Sequence, residues 1–108
     1  MIHDGEYGRA IASLEFEVKD ESKPPQTRVE CCKWLAECNH RLEDYQEAGN
    51  WYIEGVRIIL ASQGDNKTKA KQALPICNKA MEAYEKGGDS TDVLVAARVK
   101  QYLVGLSR

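Results

Sequence analysis

The chain reads as an all-α domain, and three observations carry that reading. Ala, Glu, Lys, Leu, Gln and Arg, the strong helix formers, dominate the sequence. No stretch alternates apolar and polar residues for long enough to make a half-buried strand. Apolar residues recur instead three and four apart, the period of a helix with one face turned to a core.

Each helix can be placed from its stripe and its punctuation. Tyr7, Ala10, Ile11, Leu14 and Val18 share one helical face behind Asp4 and Gly5, which suit a cap and turn, so a first helix is predicted over 6–18. Residues 19–23 are polar and lead into Pro24-Pro25, where the residue before each proline is pushed from helical angles. Thr27 with Glu30 makes a capping box for a second helix reaching Leu42, with Val29, Cys32, Leu35, Ala36, Cys38 and Leu42 as its stripe. Asp44 with Glu47 repeats that cap, and Ala48, Trp51, Tyr52, Val56, Ile59 and Leu60 carry a third helix to Ser62. Gly64 and Asp65 break the chain, and helix formers resume over 67–86. Pro75 removes an amide inside that stretch, which predicts a kinked or two-part helix. Gly87 to Thr91 ends it and caps a fifth helix, with Val93, Leu94, Ala97, Tyr102, Leu103 and Leu106 as its stripe.

Composition narrows the function classes. The chain has 108 residues, 43% hydrophobic and 30% charged, which suffices for one modest core. A net charge of −2 leaves no basic excess for nucleic-acid phosphates, so no nucleic-acid partner is expected. The longest apolar runs are far shorter than the roughly 18 residues of a bilayer span, so no membrane insertion is expected. The first residues lack the basic start and apolar run of a secretory signal, which predicts a cytoplasmic protein. Adjacent Cys31 and Cys32 on a helix suit a reduced protein with four free thiols.

The sequence also repeats itself. Aligning Tyr7 with Tyr45 brings Ala10 onto Ala48 and Leu14 onto Tyr52, so an aromatic, a small and a large apolar residue recur in order. Residues 29–62 form a unit of 34, in which Leu35, Ala36, Tyr45, Ala48, Tyr52 and Gly55 alternate large and small at helical spacing. That unit resembles a tetratricopeptide repeat (TPR), and these six residues stand where the family pattern places its Leu, small, aromatic, Ala, aromatic and small positions. Cys32 takes the place of the usual Trp, Asn39 of the usual Tyr and Leu60 of the usual Pro. The resemblance implies antiparallel helix pairs stacked as a short right-handed array of about five helices in one domain spanning 1–108. Residues 4–18 would be a half repeat, 29–62 a full repeat and 67–106 a degenerate repeat.

Candidate chemistry is sparse. Cys31, Cys32, Cys38 and His40 spread around a helix, and Cys31 and Cys38 lie about 10 Å apart along its axis, so they do not converge on a metal. His3 and His40 are the only histidines, which leaves few ways to build a nucleophile–base pair, and no enzyme activity is expected. The stretch from Gly64 to Thr68 lacks the second glycine and the preceding strand of a phosphate loop. No metal or cofactor is expected. In the family that the chain resembles, the leading helix of each pair lines a concave groove. The groove-facing positions would be Glu30, Lys33, Glu37, His40 and Arg41 in the full repeat, and Asn78, Glu82 and Glu85 in the last. Some family members clamp a terminal carboxylate with Lys and Asn; Lys33 would fit, but Glu37 stands where Asn is needed. The expected function is a non-catalytic protein–protein interaction module that holds a peptide or protein partner. One alternative is a self-associating structural segment, dimerising through the end helices near Tyr7, Leu14, Tyr102 and Leu106. Another is a three-helix bundle resembling the microtubule-interacting and trafficking domains.

Overall fold

The computed structural model describes residues 4–108, with side chains from Tyr7 onward. His3 lies outside the described residues. Five α-helices follow in order: α1 (Asp4–Lys19), α2 (Pro25–Arg41), α3 (Tyr45–Ala61), α4 (Asn66–Lys86) and α5 (Ser90–Leu106). Each packs mainly on the helix before and after it, and the resulting slab measures 44 × 35 × 19 Å. The thin dimension accommodates about two helix layers at the usual spacing of 8–10 Å. The fold is thus an all-α helical array, with five helices contributing to the packing where a three-helix bundle would use three.

Two kinds of joint alternate along the chain. At the end of α2, Glu43 N–H donates to the His40 carbonyl at 3.0 Å and Asp44 N–H to Asn39 at 2.8 Å. At the end of α4, Gly88 N–H donates to Glu85 and Asp89 N–H to Tyr84, both at 3.0 Å. Both are Schellman closures, with a left-handed residue after the cap: Gly88 at φ 73° and Glu43 at φ 62°. The aspartate after each then caps the next helix, Asp44 accepting from Glu47 N–H and Asp89 from Asp92 N–H. The other joints are longer and are closed by a cation from the following helix. Arg28 Nε donates to the Val18 carbonyl at 2.7 Å, and Lys69 Nζ to the Leu60 and Ser62 carbonyls at 3.0 and 2.9 Å. These side chains satisfy carbonyls that a helix end leaves unpaired. The sharp turns therefore join α2 to α3 and α4 to α5, as two hairpins behind α1.

Several local expectations need correction. Asp4 and Gly5 are helical residues of α1 rather than its cap and turn. Thr27 and Glu30 form no capping box, because α2 starts earlier, on Pro24 with Pro25 at its first position, where a missing amide costs nothing. Residues 66–86 form one helix through Pro75, not two. Pro75 and Lys71, whose carbonyl loses its amide partner, lie on the exposed side, where water replaces the bond.

The core follows the predicted stripes on α2 and α3. Leu35, Cys32, Ala36 and Ala48 have no exposed surface, and Val56 is nearly as deep. Because α3 lies between α2 and α4 it buries two faces, so Gly49, Gly55 and Ile58 join its predicted stripe. α5 departs from expectation: Ala96 and Leu103 are buried, while Leu94 and Tyr102 are 66% and 58% exposed. It packs chiefly on α4, and one main neighbour covers a narrower stripe than two.

The closest approach is between α3 and α4. A Cβ at Gly49 would clash with the edge of the Tyr84 ring, whose hydroxyl donates to Asn50 Oδ1 at 2.6 Å. At Gly55 a Cβ would stand at an ordinary 3.5 Å from Cys32 Cβ. Gly49→Ala is therefore expected to lower stability by about 1–3 kcal/mol through overpacking. Gly55→Ala should leave it unchanged or raise it by up to about 1 kcal/mol through helix propensity. Urea unfolding of the two variants distinguishes these outcomes.

Burial also pushes the Cys32 thiol from 9.0 up to about 12 and the Tyr84 phenol from 10.0 up to about 12. Folded values above the unfolded ones favour the native state while both groups stay protonated, and that advantage is lost as pH climbs from 9 toward 12. The urea midpoint should fall over that window, and fall less steeply in Cys32→Ala/Tyr84→Phe than in the wild type.

Candidate functional site

A trough runs along α2, with α3 as its floor and α4 as its far wall. It begins as a hollow of about 820 Å³ between Pro25, Gln26 and Val29 of α2, Ile59 of α3, and Gln72 and Ile76 of α4. Glu30 and Lys33 border this hollow and also the next, of about 650 Å³, which Trp34, Glu37, Cys38 and Arg41 line with Tyr7, Tyr52 and Lys79. Glu37, Tyr52 and Lys79 in turn border a third, of about 320 Å³, closed by His40, Glu82, Ala83 and Lys86. The three hollows share walls in sequence, from the first turn of α2 to its last.

Helical periodicity explains which side chains reach the trough. On α4 the lining residues Gln72, Ile76, Lys79, Ala83 and Lys86 are spaced by three and four, one continuous face. On α2 a broader face contributes, from Gln26 to Arg41. The floor is set by Tyr52 and Ile59, seven residues apart on α3 and both largely buried.

Of the sequence-predicted residues, Glu30, Lys33, Glu37, His40, Arg41 and Glu82 all line the trough. Asn78 and Glu85 are exposed and line none of the three hollows. The expectation gave both leading helices the same face, but α2 and α4 look at each other across α3. The stripe on α4 is accordingly turned by one residue, and Lys79 takes the place expected of Asn78. Sequence reasoning also missed Tyr7, Trp34, Tyr52 and Lys86. The available signal was Trp34, a large apolar residue that stands off the predicted stripe of its helix, and the structure leaves it 61% exposed.

The charges of the trough are partly spent on one another. Lys33 Nζ lies 3.4 Å from Glu30 and Arg41 Nε 3.5 Å from Glu37, both pairs one turn apart on α2. Such exposed pairs exchange partners at little cost. His40 meets the Tyr45 ring edge-on at 5.1 Å, and Lys86 Nζ stands 5.1 Å from the centre of the same ring, so Tyr45 steadies the end of the trough. Burial pushes the Tyr52 phenol up, with Glu37 and Glu82 adding to the shift, which keeps its hydroxyl protonated as a hydrogen-bond donor or acceptor over the floor.

All four cysteines are free thiols and all are buried. Burial raises the pKa of each, Glu17 adding to the rise at Cys31 and Glu37 at Cys38, so they are poor nucleophiles at neutral pH. Among the described residues no three His, Cys, Asp or Glu side chains are grouped to hold a metal ion, and no helix is long and apolar enough to cross a membrane. Compared with family models, curated proteins and solved structures, the chain matches none.

Proposed function

We propose that the chain is a non-catalytic interaction module, a TPR-like scaffold whose trough between α2 and α4 holds a peptide segment of a partner protein. The succession of three hollows that share walls over a buried floor is the observation that carries this reading. A groove formed by packed helices is ordered before the partner arrives, so binding spends little on arranging the receptor. Four unpaired cysteines suit a reducing compartment such as the cytoplasm.

The test is a pull-down with the wild type beside Lys33→Glu/Glu37→Lys/Arg41→Glu, after circular dichroism and light scattering establish equal helicity and mass. A partner retained by the wild type and reduced about tenfold or more by the variant is the expected result. Equal retention by both would place binding elsewhere.

A second reading, self-association, rests on Leu94, Val95 and Tyr102, which stand exposed on α5. On this reading a sedimentation experiment at tens of micromolar chain yields a dimer that Leu94→Glu/Tyr102→Glu dissolves. A wild-type monomer at that concentration would remove it.

A further inference from the structure

The trough is uneven along its length, and that unevenness describes its occupant. At the Pro25 end the lining beyond the Glu30–Lys33 pair is uncharged, with Val29, Ile59 and Ile76 apolar beside the amides of Gln26, Gln63 and Gln72 and the hydroxyl of Ser62. At the other end Lys79 and Lys86 rise from α4, and neither has a carboxylate within 4 Å among the described residues. The carboxylates at this end are Glu37 on α2, already held by Arg41, and Glu82 on α4 itself, which has no cation within that distance among the described residues. The cations left without partners therefore outnumber the carboxylates at this end, whereas the chain as a whole is acidic.

Distances along the helices set the spacing. The stretch of α2 that borders the trough rises by about 24 Å, which about seven residues of an extended segment would span. Lys79 and Lys86 are two turns apart, about 10 Å, or about three residues of such a segment. Resting on the proposal that the trough is a peptide site, we infer that its occupant is an extended segment of another protein, uncharged and apolar in one half. Its other half carries two carboxylates about three positions apart, one opposite Lys79 and one opposite Lys86. Glu82, between the lysines on the same wall, opposes such a segment and limits its affinity.

The experiment is selection of random dodecapeptides, displayed on phage, against the whole chain, followed by fluorescence-anisotropy titration of enriched sequences on wild type and variants of verified helicity. Enriched peptides should join an apolar half to paired acidic residues. Lys79→Glu/Lys86→Glu should weaken them about tenfold or more, and Glu82→Gln should tighten them by about two- to fivefold. The same peptides remade with Lys at the acidic positions should bind the Lys79→Glu/Lys86→Glu variant better than the wild type. Peptides that are basic or uncharged, insensitive to residues 79 and 86 but lost with Lys33→Glu/Glu37→Lys/Arg41→Glu, would overturn the acidic occupant and leave the trough as a peptide site. Indifference to both sets of variants, or no enriched peptide, would overturn both.

Discussion

Each apolar helix face among the described residues is covered chiefly by the helix before or after it in the chain. The rest of the structure depends on that constraint. It makes α3, with neighbours on both sides, the deepest element, and it leaves α5 with one covered face and three large apolar side chains in solvent. It also opens the trough. Helices α2 and α4 both lean on α3 without closing on each other, and in the space between them the buried floor formed by Tyr52 and Ile59 meets solvent along the length of α2. A closed bundle of the same helices would have filled that space with side chains.

The same constraint explains why the joints carry so many side-chain contacts. In an array a hinge opening at one joint is opposed only by the two helices it connects, so the angle at each joint must be held locally. Asp44 and Asp89 do this by capping one helix at the residue that closes the previous one, and Arg28 and Lys69 do it by reaching back to free carbonyls. Glu43 shows how firmly the first turn is set: a residue with a Cβ is held in the left-handed region where the second hairpin uses Gly88. Gly87 then packs its backbone against Tyr45, and Gln46 donates to Asp92 at 3.1 Å, tying the second turn to the first.

Much of this was legible in the sequence because it is local. Apolar spacing located all five helices, and Asp44 and Asp89 marked two helix starts, since a short acidic side chain behind a turn acts within three residues. What failed depended on distant neighbours. Thr27 looked like a cap because the sequence does not say that Pro24 and Pro25 already open the helix. Leu94 and Tyr102 fitted the apolar stripe of α5 as well as Leu103 did; only the absence of a sixth helix among the described residues separates them. Of the residues that the family resemblance placed on a groove, six line the trough, five of them on α2. The far wall did not follow. Asn78 and Lys79 are adjacent, one helical residue turns the side chain by about 100°, and which of the two meets the trough depends on how α4 sits over α3.

How α4 sits is decided at Gly49. The ring of Tyr84 occupies the space that any larger residue there would take, and its hydroxyl is held by Asn50 on the same turn of α3. That contact restrains the rotation of α4 about its own axis, together with the packing of Ala73, Ile76, Cys77 and Ala80 in the same core. Lys79 and Lys86 lie five residues before and two after Tyr84 on that rigid rod, so their positions over Tyr52 and Tyr45 are set by a contact on a different face of the helix. The far wall of the trough thus leans on a contact away from it: buried Gly49 and exposed Asn50 on α3 hold the Tyr84 ring of the helix that carries the two lysines.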